Sequence, residues 1–575
     1  MVIQQVKNVL AAASVALLGV GAASSAQAED LLYLSYNVPN SLNVDGPGGT
    51  FPPSYGGMSN VLEPLIYFEL GESNAEGLSA LNTKKFEGRL AESWDFDVAS
   101  LTWTLNLRRG VKGCNGATFD ADDVLYTLAR AKSISGTAPI GYFLANVGSV
   151  DKFEPSLFGA RSAAKTAKEE GKPAPSPDPR LLGDEVTKVD QYTVKIRQAQ
   201  ANGLFLPVFA IFALLIYDKE TMEEHATEDD PWSHDYTNTV NGPGFGPWCV
   251  GEWKKEDSII LEANKDYYRG APFYDRVIWK KIPESSTRLT VLRTGQADFV
   301  DSLSPREFSS LKKVKGINVG GGFLNSTVMM SLNWTQPPFD NIKVRKAIAY
   351  AIPYDQLIEK VYFGSARKWE GLVPPGYPGY FKPSISYDYN PEKAKQLLAE
   401  AGFPGGAGLE KYVDEFKLAF VAERESIVGP VATIIQSSLK AVGFPVLLDP
   451  LPLQQYSDRQ FVKKDLGMAL NDTSRPIGID AAYAVMLQYV TVSKGGLNNW
   501  GNYSNERVDE LFFKVKAEAD EVKRNAMLRE IQEMIMDELA LVPVLEYEHQ
   551  YAWREGVSGV GVHAEAQPRF YDLRK

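Results

Sequence analysis

Segments with the pattern of a β-strand alternate with segments that have the pattern of an α-helix along nearly all of this 575-residue chain. Residues 101–107 (LTWTLNL) place apolar side chains at alternate positions, which is typical of a strand with one buried face. Asp120 then precedes Asp122 and Asp123, a pattern that predicts an N-capped helix with acids in its first turn. Further helices are predicted at 344–352, 391–401, 427–442 and within 507–539. The alternation predicts an α/β fold, or the related α+β class, with mixed sheets.

The composition is that of a large globular protein, with 44% apolar and 23% charged residues. At about 150 residues per domain, the length predicts two to four domains. Lys and Arg number 60 against 72 Asp and Glu, and the net charge of −12 argues against a nucleic-acid partner. Four His and two Cys leave little soft-ligand chemistry, so we expect neither a metal centre nor a cofactor.

The N-terminus has the features of a cleaved secretory signal. Residues 9–26 are apolar and small, follow Lys7, and end in an Ala-x-Ala sequence at 26–28. The alternative is a transmembrane anchor, which usually needs about 20 strongly apolar residues rather than a segment rich in Ala, Gly and Ser. We therefore expect residues 1–28 to be removed and the mature protein to be soluble in the periplasm. The longest other apolar run, 204–216, predicts a buried helix or strand pair.

Export to an oxidising compartment bears on the two cysteines. Cys114 and Cys249 can form a disulfide there, whereas the alternative is a pair of buried thiols. A catalytic role for either is disfavoured because no His lies near them in the sequence.

Enzyme motifs are absent from the sequence. It has no Gly-x-Ser-x-Gly, no Walker loop and no His-Glu-x-x-His, and residues 242–246 (GPGFG) are flanked by prolines with no helix pattern after them. We therefore predict a protein that is not an enzyme. Because carboxylates are abundant, a secreted glycoside hydrolase is the remote alternative, which a hydrolysis assay would distinguish.

Eight short motifs occur in an order that resembles a known family. They are LAESW at 90–94 with LTWTLNLRRGVK at 101–112, NGATFDADDV at 115–124, GFGPW at 244–248, the long segment 261–301, PPFD at 337–340, VPPGYPGY at 373–380, YNPEKAKQLLAEAG at 389–402, and YSN at 503–505. Together they cover nearly the whole mature chain. This order resembles the family 5 extracellular solute-binding proteins, the peptide- and nickel-type receptors of ABC importers.

The resemblance implies a two-lobed periplasmic-binding-protein fold of type II, cluster C. Lobe I would comprise 29–283, with an extra subdomain at about 60–200, and the return segment 541–575; lobe II would comprise 284–540. The chain would pass between the lobes at Ile282-Pro283 and Val542-Pro543. Residues 160–184, charged and rich in Pro, would form an exposed insertion.

The resemblance also indicates where a solute would bind. Residues 467–472, including Leu470, align with a stretch whose backbone lies beside the peptide in peptide receptors, and Asp472 would pair with the ligand's ammonium group. The alternative is that Asp472 caps a turn at 472–474. Arg424 falls near a position that contacts the ligand carboxylate in dipeptide receptors, although an ion pair with Glu423 or Glu425 would also explain it.

The same stretch departs from the family pattern. Ala469 stands where the family has Trp, and Arg475 lies close to Asp472, where it could neutralise the carboxylate or bind an anionic group of the solute. A receptor for a non-peptide solute (an opine, a sugar or a metal chelate) is therefore the alternative to a peptide receptor.

Other candidate ligand contacts are aromatic and amide side chains. Each aromatic residue has the alternative role of a core residue. The candidates are Trp500, Asn498, Asn499, Tyr503, Trp334 and Phe51. We thus predict a monomeric receptor that binds a small peptide or peptide-like solute between two lobes and delivers it to an ABC permease in the inner membrane.

Overall fold

The computed structural model describes residues 29–575 apart from several segments, namely 45–51, 74–77, 212–213, 325, 376, 473–479 and 497. Of residues 134–183, it describes Leu144, Val147, Gly171 and Leu182 and leaves out the others. The predicted signal 1–28 and nearly all of the predicted insertion 160–184 lie outside the described residues. Within them, no helix has the length and apolar character needed to cross a bilayer.

The described residues form twenty strands in four sheets. The strands are β1 (Asp30–Ser35), β2 (Ile66–Ser73), β3 (Leu78–Gly88), β4 (Ala91–Asp97), β5 (Thr102–Leu107), β6 (Val186–Asp190), β7 (Thr193–Arg197), β8 (Trp248–Lys254), β9 (Ser258–Ala263), β10 (Arg276–Lys281), β11 (Phe299–Asp301), β12 (Ile317–Gly322), β13 (Thr327–Leu332), β14 (Ala366–Lys368), β15 (Lys417–Val421), β16 (Leu447–Leu451), β17 (Met468–Asn471), β18 (Val542–Tyr547), β19 (His549–Arg554) and β20 (Val560–Val562).

Helices cover the sheets. The α-helices are α1 (Pro52–Val61), α2 (Ala121–Ser133), α3 (Phe205–Phe209), α4 (Lys219–Glu224), α5 (His234–Thr239), α6 (Ser285–Arg293), α7 (Pro305–Leu311), α8 (Ile342–Tyr350), α9 (Tyr354–Gln356), α10 (Pro391–Glu400), α11 (Glu425–Val442), α12 (Leu453–Ser457), α13 (Ala481–Gln488), α14 (Glu506–Ala517) and α15 (Glu521–Glu538). Helices α9 and α12 continue as π-helical turns at Leu357–Val361 and Asp458–Lys463.

Local sequence signals explain where several of these helices begin and end. The Asp120 side chain accepts a hydrogen bond from the Asp122 backbone N–H at 2.7 Å, so α2 begins where the cap predicts. Helix α10 has Pro391 in its first turn and is followed by Gly402 at a φ of 94°, a left-handed conformation that favours glycine. The segment 507–539 forms two helices because Asp520 caps the second one.

The largest sheet has seven strands in the order β12-β19-β11-β1-β10-β9-β8, and it forms the centre of the first lobe. Strand β1 pairs in parallel with β10 and β11, whereas β9 and β19 are antiparallel to their neighbours, so the sheet is mixed as predicted. Tyr33, on β1, is fully buried and contacts the rings of Trp279, Phe299 and Phe570 at centroid distances of 5.1, 5.7 and 5.3 Å. This aromatic cluster joins the sheet to the C-terminal segment.

Two smaller sheets lie in the N-terminal third of the chain. Strands β4, β5, β7 and β6 form a four-stranded sheet, and β3 pairs with β2 on one side and with β20, from near the C-terminus, on the other. Trp103, on β5, stacks on Phe205 with ring centroids 4.5 Å apart, which joins the four-stranded sheet to the apolar run 204–216.

A six-stranded sheet, in the order β14-β18-β13-β17-β15-β16, forms the centre of the second lobe. Its central strand β13 (TVMMSL) is buried at all six positions, which fits the absence of charged side chains from residues 327–332. Helix α10 contacts both α8 and α11, and α11 packs against strands β15 and β16 of this sheet.

The passages between the lobes differ from those predicted. After Lys281 the chain remains in the first lobe, because β11 and β12 both belong to the seven-stranded sheet. The first strand of the chain that belongs to the six-stranded sheet is β13. The outward passage between the lobes therefore lies at 323–326 rather than at Ile282-Pro283. Strand β18 also belongs to the second sheet, and the return passage is at Glu548, between β18 and β19.

Pro543 thus lies inside a strand instead of at its exit. It pairs with Met329 at a register shift in the β13–β18 ladder. An irregular position of this kind tolerates a residue without an N–H, which is why the proline does not mark a boundary between lobes.

Candidate ligand-binding site between the lobes

A cavity lies where the two lobes meet. Its lining includes Tyr36 and Ser302 from the first lobe, Tyr362 and Arg424 from the second, and Glu548 at the return passage. Its lining atoms leave about 640 Å³ unfilled, an upper bound because part of this space is open to solvent. Small-molecule sites commonly lie in such clefts between lobes.

Arg424 and Asp472, both predicted as ligand contacts, are brought together by sheet topology. Strands β15 and β17 are parallel neighbours, so their carboxyl ends lie side by side. Arg424 comes three residues after the end of β15 and immediately before helix α11, and Asp472 directly follows β17. The end of the β15–β17 pair therefore places a guanidinium beside a carboxylate.

The two side chains form an ion pair. Arg424 Nε and Nη2 lie 2.7 and 2.5 Å from Asp472 Oδ2. The side chains are 11% and 4% exposed, so the pair is largely shielded from water. Burial lowers the pKa of Arg424, but the charge of Asp472 raises it more, so the guanidinium remains protonated above its ordinary range. The alternative partners Glu423 and Glu425 form no ion pair with Arg424 in the described structure.

Tyrosines surround this ion pair. The Arg424 guanidinium lies 5.8 Å from the Tyr36 ring, which belongs to the first lobe, so this contact crosses between the lobes. Tyr547 donates its hydroxyl to the Asp472 backbone carbonyl at 3.0 Å and stacks on Tyr362 at a centroid distance of 5.4 Å. The cavity wall thus combines the Arg424 guanidinium with aromatic faces and hydroxyl groups, whereas its partner Asp472 is outside the described lining.

The return passage supplies further polar groups. The Glu548 N–H donates to the Ser365 carbonyl at 2.9 Å, and its carboxylate accepts from the Gln550 amide at 3.0 Å. Gln567, near the C-terminus, is 3% exposed and donates its amide to the Ala566 carbonyl at 2.9 Å. Glu548, Gln550 and Gln567 all line the cavity.

Leu470 lies one strand position from the end of β17. Its carbonyl accepts the hydroxyl of Tyr456 at 2.9 Å, and it pairs with Met330 on β13. Its side chain is 1% exposed and is absent from the described cavity lining.

Trp500, Asn498 and Asn499 lie in the second lobe, away from the described cavity lining. Trp500 is 2% exposed and meets the Phe461 ring edge-to-face at 5.7 Å. The Asn499 amide donates to the carbonyls of Val490 and Tyr503 at 3.0 and 2.7 Å, which closes the loop around it. The Asn498 N–H donates to the Leu487 carbonyl at 2.7 Å.

Tyr503 and Trp334 contact each other with ring centroids 4.8 Å apart, also outside the described cavity lining. The Tyr503 hydroxyl donates to Glu538 at 2.6 Å, and the Arg345 guanidinium lies 3.6 Å from the Trp334 ring. Phe51 and Arg475 lie outside the described residues.

Cys114 and Cys249 form a disulfide, with Cα atoms 5.6 Å apart. The bond links the loop after β5 to strand β8, and so joins the N-terminal part of the first lobe to its seven-stranded sheet.

One group of acids has the spacing of a metal site, namely Asp123, Asp218 and Glu220. Hydrogen bonds within the first lobe account for two of them. Asp123 accepts the N–H groups of Lys219 and Asp120 at 2.9 Å, and Asp218 caps helix α4. Burial raises the pKa of Asp123 to about 8, which disfavours the ionised form that a cation would need.

Sequence reasoning missed most of the cavity wall. Tyr36, Tyr362 and the group Tyr547, Glu548 and Gln567 come from three distant parts of the sequence and belong to no motif that was recognised. Two of these residues have a positional signal, since Tyr36 follows strand β1 and Glu548 joins two strands. Without the strand order, that signal could not be read.

A family model described as bacterial extracellular solute-binding proteins, family 5 Middle, matches residues 85–493. Among curated proteins, the dipeptide-binding protein of Escherichia coli K12 is 24% identical over 530 residues, covering 91% of this chain and 90% of that protein. Heme-binding protein A of Haemophilus influenzae is 29% identical over 334 residues, covering 56% and 54% of the two chains.

Solved structures show the same fold. The periplasmic binding protein DppA of Helicobacter pylori, in complex with the peptide STSA, has a TM-score of 0.71 at 24% identity, with 95% of this chain and 97% of that chain covered. MoaA of A. tumefaciens R10, in complex with mannopinic acid, has a TM-score of 0.75 at 21% identity and covers 95% and 99%. The family match spans well over half of the sequence, and this chain therefore belongs to the family 5 bacterial extracellular solute-binding proteins.

Proposed function

We propose that this protein is the periplasmic receptor of an ABC importer and binds a small peptide or peptide-like solute in the interlobe cavity. The E. coli and H. pylori relatives are described as a dipeptide-binding protein and as an ABC transporter-associated protein in complex with a peptide, which supports this proposal. Residues 1–28 would direct export and be removed at Ala28, and the ligand-loaded protein would deliver its solute to the permease in the inner membrane.

The Arg424–Asp472 pair carries the proposal. It offers one fixed positive group in the cavity lining, Arg424, and one fixed negative group bound to it, Asp472, and these complement the carboxylate and the ammonium of a zwitterion. A ligand ammonium would bind Asp472 and a ligand carboxylate would bind Arg424, each replacing part of the existing pair. The charges therefore remain compensated before and after binding, which avoids the cost of an uncompensated buried charge.

Closure of the lobes would complete the site. Arg424 belongs to the second lobe and Tyr36 to the first, so the ion pair meets the opposite wall only when the lobes approach each other. Both passages between the lobes, at 323–326 and at Glu548, are short, and Glu548 lines the cavity. Hinge closure around a solute is an established mode of conformational switching.

A binding experiment with dipeptides tests the proposal. Native mass spectrometry would first identify any solute that co-purifies with the protein. Calorimetry would then compare Ala-Leu with N-acetyl-Ala-Leu and with Ala-Leu amide, which lack the free ammonium and the free carboxylate. We expect each blocked peptide to bind at least about tenfold more weakly, since a charge-assisted hydrogen bond contributes about 1.5–3 kcal/mol.

Variants assign the two charges. In Asp472→Asn, Ala-Leu and the acetylated peptide should bind with similar affinity. In Arg424→Gln, Ala-Leu and the peptide amide should bind with similar affinity. Arg459 and Asp465 form an exposed ion pair in the same lobe at 2.9 Å, so Arg459→Gln and Asp465→Asn are the matched controls. Unchanged discrimination in Asp472→Asn and Arg424→Gln would refute the assignment. Binding of mannopinic acid with no binding of any peptide would favour the opine alternative.

The proposal includes the absence of turnover. Nothing in a receptor cycle alters the solute, so the bound ligand should be recovered with its mass unchanged after long incubation with stoichiometric protein. Recovery of a hydrolysed product would instead favour a secreted hydrolase.

A further inference from the structure

The charges that line the interlobe cavity do not cancel. Arg424 is compensated by Asp472 at 2.5 Å. Glu548 is the one carboxylate among the described lining residues, and none of the described Lys or Arg side chains forms an ion pair with it. Its described hydrogen-bond donor is the neutral amide of Gln550 at 3.0 Å. The lining therefore retains one negative charge that its own cations do not neutralise.

A second acceptor lines the same cavity. Gln567 Oε1 is buried and has no hydrogen-bond donor among the described residues, although the Gln567 Nε2 atom is paired with a backbone carbonyl. Helix α1 approaches this amide closely, because a Cβ added at Gly56 would lie 3.0 Å from Oε1. A buried acceptor without a donor costs free energy, and a ligand N–H in the cavity would remove that cost.

We propose that Glu548 and Gln567 form a cation-binding subsite of the interlobe cavity, and that the preferred solutes carry a positive group beyond the ammonium that pairs with Asp472. This inference rests on the proposed peptide receptor and narrows its substrates to cationic peptide-like solutes. A protonated amine presents three donors and no acceptor, which matches a carboxylate together with an amide oxygen.

The subsite lies at the passage between the lobes. Glu548 joins β18 of the second sheet to β19 of the first, and its N–H is bound to the Ser365 carbonyl. Gln567 belongs to the first lobe, where Gly56 and the Trp279 ring approach each other beside it. A cation held by both side chains would therefore connect the hinge to the first lobe.

Four dipeptides test the inference: Ala-Lys, Lys-Ala, Ala-norleucine and norleucine-Ala. Norleucine has the length of lysine without its amine, so each pair isolates the side-chain charge. Calorimetry would be performed at pH 7, where both the peptide ammonium and the lysine side chain are mainly protonated. We expect at least one lysyl peptide to bind about tenfold or more tightly than its norleucyl counterpart, as a charge-assisted hydrogen bond allows.

Variants locate the effect. Glu548→Gln keeps an acceptor for Gln550 and removes only the charge, and it should reduce the lysyl preference to below about threefold, since most of that preference is the charge-assisted bond. Gln567→Met preserves length and removes the acceptor, and it should reduce the preference in the same direction. Glu555→Gln, at an exposed position outside the described cavity lining, controls for net charge and should leave the preference unchanged.

The outcomes separate this inference from the proposed function. Equal affinity for lysyl and norleucyl peptides in the wild type, or a lysyl preference that persists in Glu548→Gln, would overturn the cation subsite and leave a peptide receptor. Failure of all four peptides to bind would overturn the peptide receptor and, with it, the subsite.

Discussion

Under the proposed function, Arg424 would serve both the ligand-free and the ligand-bound protein. Two buried charges cost desolvation energy that their attraction only partly offsets, so such pairs are weak evidence for stability alone. Here the pair lies at the edge of a cavity and contacts Tyr36 from the opposite lobe. Its position fits a group that exchanges one partner for another better than a group that only stabilises the fold.

His563 gives a prediction at the scale of a residue. It is 1% exposed, and Asp572 lies 3.7 Å from its Nε2. Burial lowers the pKa of His563 to about 4, with Arg569 and Arg89 also lowering it while Asp572 and Glu565 raise it. The unfolded chain thus binds more protons than the folded one between pH 6.5 and 4, so this group's contribution to stability is full above pH 6.5 and is lost as the pH falls.

A pH series tests this sign. Between pH 7 and pH 5, the wild type should lose roughly 2 kcal/mol more unfolding free energy than His563→Phe, because only the wild type carries this titration. Urea unfolding of both proteins at each pH gives the difference, in which titrating groups that do not interact with His563 cancel. Parallel pH profiles would show that His563 is not held neutral in the fold.

The sequence could predict Arg424 and Asp472 one at a time but not their contact. Each was found through its place in a motif order, whereas their separation of 2.5 Å follows from β15 and β17 being parallel neighbours, which no local pattern encodes. Trp500 shows the converse problem. A tryptophan that lines a site and one that contacts Phe461 in a core have the same sequence signal.

At the scale of elements, the disulfide is the clearest constraint on the first lobe. Cys114 and Cys249 are 135 residues apart and join the loop after β5 to β8. Because the bond closes so long a loop in the unfolded chain, the chain-entropy model predicts that it raises the free energy of unfolding by about 2–5 kcal/mol. Reduction with dithiothreitol should therefore lower the midpoint of urea unfolding of the wild type, measured by tryptophan fluorescence. The Cys114→Ser/Cys249→Ser protein should show the same low midpoint with or without reductant. A wild-type midpoint insensitive to reductant would contradict this.

Element boundaries were predictable where a single residue dictates them. Asp120 and Pro391 mark helix starts, because caps and a fixed φ act within one turn. The passages between lobes were not predictable in this way. Pro283 and Pro543 have the same local chemistry as a strand exit, but strand order keeps the first in lobe I and places the second within β18.

At the scale of the whole molecule, the lobes also touch at a distance from the cavity lining. The buried Asn202 amide, near helix α3 of the first lobe, donates to the Leu144 carbonyl at 2.8 Å and to the Lys516 carbonyl at 3.0 Å. Lys516 lies at the end of helix α14 in the second lobe. Asn202 Oδ1 accepts the Leu204 N–H at 3.1 Å, so the side chain is fixed by its own lobe before it reaches across.

We expect this contact to make Asn202 a determinant of closure without any contact to the solute. Asn202→Asp keeps the oxygen that accepts the Leu204 N–H. It replaces the NH₂ group, which donates to the Leu144 and Lys516 carbonyls, with an oxygen that repels them, so the variant should favour the open form. We expect a larger radius of gyration in small-angle scattering, together with roughly fivefold to tenfold weaker ligand binding, because a ligand must then supply the free energy of closure.

The control is Asn60, whose side-chain amide also donates two hydrogen bonds to backbone carbonyls, but with both acceptors in its own lobe. The Asn60 amide donates to the Gly56 and Pro568 carbonyls at 2.8 and 3.0 Å, both in the first lobe. Asn60→Asp should therefore lower stability without changing the radius of gyration of the ligand-free protein. If Asn60→Asp and Asn202→Asp expanded the molecule equally, the expansion would reflect loss of stability. If only Asn202→Asp did so, the bond to Lys516 would be the part of the interlobe surface that sets the balance between open and closed forms.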